Sequence, residues 1–184
     1  MVTGFANTTG RYLSLSCTLN GSSELALRGE PGAVGVTLLP YFDGERTPNR
    51  PDATGVFRRL TTDTTREDIA RTTVERILCS MRDAMIALEN TTHQETDRVL
   101  LIGGGAKSKT IRHIAPAIFG VDVLVPESGE YVAMGAARQA AWVLSGQALP
   151  PAWATADTPH HYTAELDHDT VARYEELRDL TEGW

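Results

Sequence analysis

The feature that most constrains this chain is a short apolar run followed at once by three glycines. Residues 99–102 (VLLI) are too short and too uniformly apolar for anything but an interior strand, and residues 103–105 are all glycine. A helix is predicted next, with Ser108 as its N-cap and Gly120 as its left-handed C-cap. Because glycines have no side chains, a flat or anionic ligand can approach the backbone N–H groups of such a turn. The pattern predicts either a nucleotide site or a tight turn that binds nothing.

Strand and helix signals alternate after the glycine turn. Residues 121–125 form a second buried strand that Pro126 ends, and an alanine-rich helix is predicted over residues 131–144. Strand, helix, strand and helix in quick succession favour parallel pairing through a right-handed crossover. An α/β arrangement follows from this order.

The first sixty residues contain the signals of short strands and loops. Residues 2–17 predict a β-hairpin, and residues 21–32 read as a loop. Residues 34–41 predict a buried strand, and residues 56–57 predict a further short one. This part of the chain is therefore expected to be β-rich.

One long amphipathic helix is predicted from Thr64 to Asn90, with Thr64 and Glu67 at capping-box spacing. Apolar or small side chains recur every three or four residues and are expected to face the core: Ile69, Thr73, Ile77, Met81, Met85 and Leu88. Charged side chains are expected on the opposite, solvent-facing side: Arg66, Arg71, Glu75, Arg82 and Glu89.

The C-terminal part of the chain differs in composition from the rest. From Leu149 onward prolines and polar residues dominate, until a weak helix near residues 170–180 that we expect on the surface. The sequence therefore predicts a domain over residues 1–148 and a C-terminal extension with a surface helix over residues 149–184.

Composition excludes several classes of function. The chain has 184 residues with 41% hydrophobic content, and its 17 Lys and Arg against 24 Asp and Glu give a net charge of −7. Scattered basic residues disfavour nucleic-acid binding, which needs clustered positive charge. No stretch approaches the roughly 20 apolar residues that span a bilayer, and no signal segment is visible, so we expect a cytoplasmic protein. Cys17 and Cys79 have no metal-ligand spacing and are interpreted as small buried residues.

Known nucleotide motifs are matched only in part. A Walker A loop is excluded because Ala106 stands where that motif needs glycine. The dinucleotide fingerprint has its first two glycines, but Ser108 stands at the third. Asp122 and Glu127 lie on either side of the expected ribose position, so a nicotinamide-binding fragment stays an alternative.

Catalytic and metal-binding candidates are few. Asp43 and Glu45 flank a glycine in a loop, and each is either a base or an ordinary solvated carboxylate. His160 and His161 are adjacent on a segment read as irregular, and with His168 they are expected in solvent rather than on a metal. No nucleophile elbow or zinc-protease motif is present.

Three segments together resemble the C-terminal domain of the FGGY carbohydrate kinases, and the xylulose kinases of actinobacterial type above all. They are residues 39–48 (LPYFDGERTP), 101–108 (LIGGGAKS) and 132–137 (VAMGAA). The resemblance implies an α/β, ribonuclease-H-like (actin-like ATPase) C-terminal domain, with a mixed sheet flanked by helices and incomplete at its N-terminus.

The resemblance also implies which residues bind the nucleotide. The glycine turn would hold the adenosine of ATP by backbone contacts, with two further residues at the rim. The implied set is Gly103, Gly104, Gly105 and Ala106, with Lys107 and Ser108 at the rim. The family's catalytic aspartate, Mg²⁺ carboxylate and D-xylulose-binding residues would lie upstream of Met1, so we expect no catalytic or metal-ligand residue here and no kinase activity from this chain alone.

Other family features lead to further expectations. The small residues of segment 132–137 resemble a connecting helix that slides against the other kinase domain, and Arg46 is expected either to steady the interdomain region or simply to pack. Arg59 stands where a family signature has glycine, and Thr72 where it has alanine or serine. Between Asn20 and Glu30 a family member would have about twenty more residues.

The sequence leaves the sugar and the assembly open. Another FGGY kinase, acting on ribulose, glycerol or gluconate, remains an alternative, as does a non-catalytic interaction module. Bare sheet edges favour self-association, and a homodimer is one of the outcomes left open.

Overall fold

The computed structural model describes residues 3–6, 12–15, 23–127, 129–153 and 158–183. The first two segments are strands β1 (Thr3–Ala6) and β2 (Tyr12–Leu15), which pair antiparallel with Thr3 opposite Leu15. The predicted N-terminal hairpin is confirmed, although its turn lies outside the described residues.

A three-stranded mixed sheet organises the second half of the chain. Strand β5 (Arg98–Leu100) pairs parallel with β6 (Asp122–Val125), and α3 (Lys109–Phe119) connects them. The predicted parallel unit is thereby confirmed. Strand β7 (His160–Tyr162) pairs antiparallel with β6 and had not been predicted, because a His-His-Tyr segment has no apolar alternation. Helix α4 (Tyr131–Ser145) follows β6, as predicted, and ends at Gly146 in a left-handed conformation.

The strand that precedes the glycines is not an interior strand in the part of the chain described. Strand β5 lies at the edge of the sheet, with Leu101 buried on one face while Leu100 and Ile102 are 60% and 45% exposed on the other. The buried face packs on α3 through Val123 and Val125 of β6. The uniformly apolar sequence predicted that other elements pack on both faces of β5. In the described structure they pack on only one face.

Strand β3 (Thr37–Leu39) is shorter than the predicted strand over residues 34–41. It pairs antiparallel with β4 (Val56–Arg58), which confirms the second short strand. The residues before β3 form a single tight turn, Ala33–Gly35, in which Ala33 and Val34 have φ of 48° and 51°. Because extended backbone requires negative φ, β3 cannot begin before this turn ends.

The predicted loop over residues 21–32 contains a short helix, α1 (Ser23–Ala26). Ala26 is fully buried, and α1 packs against α2 (Arg66–Thr92). One helical turn has too little periodicity to be distinguished from a loop in sequence.

The predicted capping box of α2 is wrong by one residue. The N-cap is Thr65, whose hydroxyl accepts from the Asp68 amide at 3.1 Å while the Asp68 carboxylate accepts from the Thr65 amide at 2.9 Å. Thr64 instead accepts from the Thr61 amide at 2.9 Å and shapes the preceding turn. Both threonines precede an acidic residue by three positions, so sequence spacing alone does not distinguish them.

The predicted solvent face of α2 is wrong at Glu75. Glu75 is 1% exposed and its neighbour Arg76 is 0% exposed, whereas Ile69, Ile77 and Met81 are only half-buried. Charged side chains are buried when they are paired and hydrogen-bonded, which sequence periodicity does not reveal.

Helix α5 (His168–Leu180) is not the surface helix that the sequence predicted. Val171, Tyr174 and Leu177 are at most 6% exposed and belong to the main hydrophobic core. The Tyr174 hydroxyl lies 3.1 Å from that of Tyr41, two residues after the end of β3. The division of the chain at residue 148 stays a prediction, and α5 packs into the same core as α3.

Arg59 has φ of +65°, a backbone conformation that favours glycine, and the FGGY pattern has glycine at this position. A non-glycine residue in the left-handed region is less stable by roughly 1–2 kcal/mol. We expect Arg59→Gly to raise the free energy of unfolding by about 1 kcal/mol, measured by urea denaturation.

The neighbouring Arg58 is a matched control because it lies in β4 and forms an ion pair with Glu176 at 2.8 Å. Arg58→Gly is expected to lower stability, because glycine weakens a strand. A fall in stability for Arg59→Gly as well would show that the arginine side chain, rather than its backbone conformation, dominates at position 59.

Candidate nucleotide-binding turn

The glycine turn is a compact, regular structure between β5 and α3. Gly103 has φ of +86°, and Gly104 is in the right-handed helical region. The amides of residues 106–108 donate to the carbonyls of residues 103–105 at 3.1–3.2 Å, which forms one 3₁₀ turn. Only Gly103 needs the conformational freedom of glycine.

The outer side of this turn is open. A side-chain carbon added to Gly103 or Gly104 would meet no described atom within 4 Å, and both residues are exposed. Within the described part of the chain, no group accepts a hydrogen bond from the amides of these two glycines. Two backbone donors and a bare backbone surface are therefore available to a ligand.

The inner side of the turn is fixed to the protein. Ala106 is 6% exposed and belongs to the core cluster, so any contact it makes with a ligand is a backbone contact. Ser108 is the N-cap of α3, as predicted, and its hydroxyl accepts from the Ile111 amide at 3.4 Å. The Nε of Arg112 donates to the carbonyl oxygen of Ala106. Lys107 is exposed at the rim.

The structure brings the six predicted site residues into one turn, where their sequence adjacency had placed them. Whether they bind adenosine stays a prediction. The sequence does not predict that Arg112 contacts the glycine turn. An arginine in the first turns of a helix is usually solvated, so its position alone gives little indication of such a contact.

The two acidic candidates for a dinucleotide ribose lie at opposite ends of β6. Asp122 pairs in register with Arg98 at the start of β5, so it lies at the far end of the strands from the glycine turn. Its carboxylate is 2.8 Å from Nε2 of His161. Glu127 follows the end of β6, at the same edge as the turn, and lies 3.8 Å from Nε2 of His160. Only Glu127 stays compatible with the nicotinamide alternative.

The loop carboxylates have different surroundings. Asp43 is exposed, whereas the Glu45 carboxylate accepts from the amides of Arg46 and Thr47 at 2.6 and 3.2 Å. Glu45 also exchanges backbone hydrogen bonds with Arg50 at 2.8 and 2.9 Å. This residue therefore shapes its own loop. The predicted interdomain role of Arg46, whose side chain is exposed, stays a prediction.

The remaining candidate residues are cysteines and histidines, and those that the structure describes are either buried in the core or exposed to solvent. Cys79 is 1% exposed, and burial raises the pKa of its thiol to about 12, so the predicted small buried residue is confirmed. Cys17 lies outside the described residues. His160, His161 and His168 are exposed, as predicted, although the first two lie on β7 rather than on an irregular segment.

Comparison with known proteins assigns the family. Residues 8–144 match the FGGY family of carbohydrate kinases, C-terminal domain. The chain belongs to this family. It is 37% identical to a xylulose kinase of Streptomyces rubiginosus over 185 residues, covering 94% of this chain and 38% of that protein. A gluconokinase of Bacillus subtilis is 33% identical over 115 residues, covering 62% of this chain and 22% of the relative.

Solved structures of FGGY kinases have the same fold. The crystal structure of xylulose kinase from Bifidobacterium adolescentis is 48% identical with a TM-score of 0.77, covering 96% of this chain and 38% of the other. A Plasmodium falciparum glycerol kinase with ADP, 18% identical, has a TM-score of 0.71, with 89% and 34% covered, and shows the fold alone. The predicted actin-like fold class is confirmed.

The chain thus spans less than two fifths of the length of these FGGY kinases. Among the described residues, no helix is long and apolar enough to cross a membrane.

The second departure from the FGGY pattern is accommodated by a hydrogen bond. Thr72 is fully buried on α2, and its hydroxyl donates to the carbonyl of Val36 at 2.9 Å. The larger threonine therefore ties α2 to the start of β3 in this member of the family.

Proposed function

We propose that this chain is the C-terminal, ATP-binding part of a xylulose kinase, an enzyme that transfers the γ-phosphoryl group of ATP to D-xylulose and gives D-xylulose 5-phosphate. The support is the similarity to xylulose kinases over 94% of the chain, against 62% for the gluconokinase. Alone, the chain binds nucleotide but does not phosphorylate a sugar.

The observation that carries the proposal is the bare backbone at Gly103 and Gly104. A flat adenosine can lie against this surface because a side-chain carbon added to either glycine would meet no described atom within 4 Å outside the adjoining residues. The two glycine amides can donate to the ligand, and Lys107 and Ser108 stand at the rim. This chain would then hold the adenosine end of ATP and leave the phosphates directed at another part of the kinase.

Two exposed apolar surfaces support the view that more of the kinase covers this chain. Helix α4 buries none of its side chains in the described structure, and Val132 and Leu144 are 84% and 87% exposed. On the open face of the sheet, Leu100 is 60% exposed. Large exposed apolar surfaces of this kind are typical of interfaces.

The phosphoryl transfer itself is proposed to depend on residues outside this chain. Kinases work mainly by positioning and by neutralising phosphate charge, with a carboxylate taking the hydroxyl proton. The described residues contain no group of three His, Cys, Asp or Glu side chains that could hold a metal ion. We propose that the rest of the kinase binds Mg²⁺, supplies the general base and binds the sugar.

Gly104→Val is expected to abolish ATP binding without unfolding the chain. The backbone at Gly104 is right-handed, so valine is sterically allowed, and its side chain would enter the space that the adenosine needs. Isothermal titration with ATP, ADP and NAD measures the effect. Micromolar to millimolar ATP binding by the unsubstituted chain and none by the variant would agree with the proposal.

Gly135→Ala is the matched control, because Gly135 lies in α4 and an added carbon there also meets no described atom within 4 Å. It should bind ATP like the unsubstituted chain. Binding of NAD in preference to ATP, or ADP formation that depends on D-xylulose with this chain alone, would contradict the proposed function.

A further inference from the structure

Arg112 connects helix α3 back to the glycine turn. Its Nε donates to the carbonyl oxygen of Ala106, six residues earlier, and its side chain is half-buried. The first backbone bond of α3 runs from the Arg112 amide to the Ser108 carbonyl at 3.2 Å, so the Ala106 carbonyl precedes the hydrogen-bond ladder of the helix. The guanidinium therefore bonds a backbone group that the helix does not use.

Arg112 adds a side-chain bond to a turn that is otherwise held by its three backbone hydrogen bonds and by the burial of Ala106. Three consecutive glycines have the largest backbone freedom of any residues, and no described side chain packs on the outer side of the first two. The side chain of Ala106 is packed in the core, and the peptide group that contains its carbonyl is held on the other side by the bond from the Lys107 amide to the Gly104 carbonyl at 3.1 Å. A charged hydrogen bond to that carbonyl restricts the peptide that follows the glycines.

We infer that Arg112 is a positioning residue for the nucleotide: by holding the Ala106 carbonyl, it keeps the backbone of residues 103–106 in the conformation that the ligand meets. This inference rests on the proposed function of the turn. A turn that is ordered before binding loses less conformational entropy when the ligand arrives, so the effect is on nucleotide affinity.

The test compares Arg112→Met with the unsubstituted chain by titration with ATP and by amide hydrogen exchange. Methionine keeps an unbranched apolar side chain but removes the donor. We expect ATP affinity to fall about tenfold. The Ala106 and Lys107 amides, which close the turn on Gly103 and Gly104, should exchange about tenfold faster, while core amides of α3 stay protected.

Lys109→Met is the matched control, since Lys109 is a neighbouring exposed basic residue in the first turn of α3. It should change ATP affinity by less than about twofold, because at this exposed site only a screened charge is lost. Equal losses in the two variants would mean that charge alone matters and would overturn the inference. Unchanged affinity or unchanged amide exchange in Arg112→Met would do the same.

The outcomes separate this inference from the function on which it rests. If the unsubstituted chain binds no ATP, the proposed function fails, and with it the role of Arg112 toward a nucleotide. Should Arg112→Met not fold, Arg112→Lys replaces it: the charge is kept but the planar donor at Nε is lost. A loss of affinity in Arg112→Lys then supports the inference, and binding equal to that of the unsubstituted chain contradicts it.

Discussion

Glu75→Ala is expected to lower the free energy of unfolding by about 3–5 kcal/mol, among the largest effects of any single substitution in this chain. Glu75 is 1% exposed and accepts from the Gly32 amide at 3.0 Å and from Nε of Arg71 at 2.6 Å. Alanine would leave the amide without an acceptor and the arginine, 12% exposed, without its counter-charge. Thermal and urea denaturation followed by circular dichroism measure the loss.

The size of this effect comes from the number of segments that the buried charges join. Arg76, next to Glu75, is 0% exposed and donates to the carbonyl of Thr170 in α5 and, at 3.5 Å, to that of Val36 before β3. Removing the buried carboxylate of Glu75, the preceding residue, would leave Arg76 with a less favourable electrostatic environment in a medium of low dielectric. The left-handed turn that begins at Gly32 would also lose the hydrogen bond from the Gly32 amide to Glu75, which attaches it to α2.

Glu67→Ala is the matched control on the same helix. Glu67 pairs with Arg66 at 3.2 Å, but the Arg66 side chain is 81% exposed, so the pair is screened by solvent. Its loss should change stability by at most about 1 kcal/mol. Equal losses for Glu67→Ala and Glu75→Ala would show that the buried cluster is no more stabilising than a surface ion pair.

The glycine turn and its flanking elements could be predicted because the decisive signals are local. A glycine at φ of +86°, a serine N-cap and a glycine C-cap each depend on residues within a few positions. Strand β6 and helix α4 were likewise predicted from apolar runs that end at Pro126 and Gly146. The open outer surface of the turn is a property of tertiary structure, and sequence alone left a turn without a ligand as an equal alternative.

The errors lie where distant segments determine burial. Sequence placed Glu75 in solvent because it is charged, but its partners are Gly32, 43 residues away, and Arg71. Helix α5 looked like a surface helix because only a few of its residues are apolar, yet three of them, Val171, Tyr174 and Leu177, form one buried side with Thr170. Strand β7 has no apolar pattern at all and exists because β6 offers an unpaired edge.

A chain that ends at residue 148 is expected not to fold. The predicted C-terminal extension supplies β7 to the sheet and three core side chains from α5, Val171, Tyr174 and Leu177. Burial of three such side chains stabilises the fold by about 5–9 kcal/mol. That is comparable to the whole stability of a typical domain, about 5–15 kcal/mol. We therefore expect the shortened chain to show no cooperative thermal unfolding.

The loss would extend to a charge that α5 neutralises. Asp83 on α2 is 9% exposed and pairs with Arg178 of α5 at 2.6 Å. Burial already raises the pKa of Asp83 above its ordinary value, although the bond to Arg178 opposes this shift. Without α5 the carboxylate would lose its counter-ion, and part of the core would be exposed to water at the same time.

Substitution of two leucines in α5 tests the contribution of this helix to stability without removing the whole C-terminal segment. Leu177 is 1% exposed and Leu180 is 55% exposed, on one helix and three residues apart. Leu177→Ala should lower the free energy of unfolding by about 2–5 kcal/mol, and Leu180→Ala should change it by at most about 0.5 kcal/mol. A shortened chain that unfolds cooperatively, together with equal effects of the two leucine substitutions, would instead mean that residues 149–184 form an extension on a domain complete at residue 148. The expected result makes the C-terminal helix part of the core that supports the glycine turn, because α5 and α3 contribute to one hydrophobic cluster.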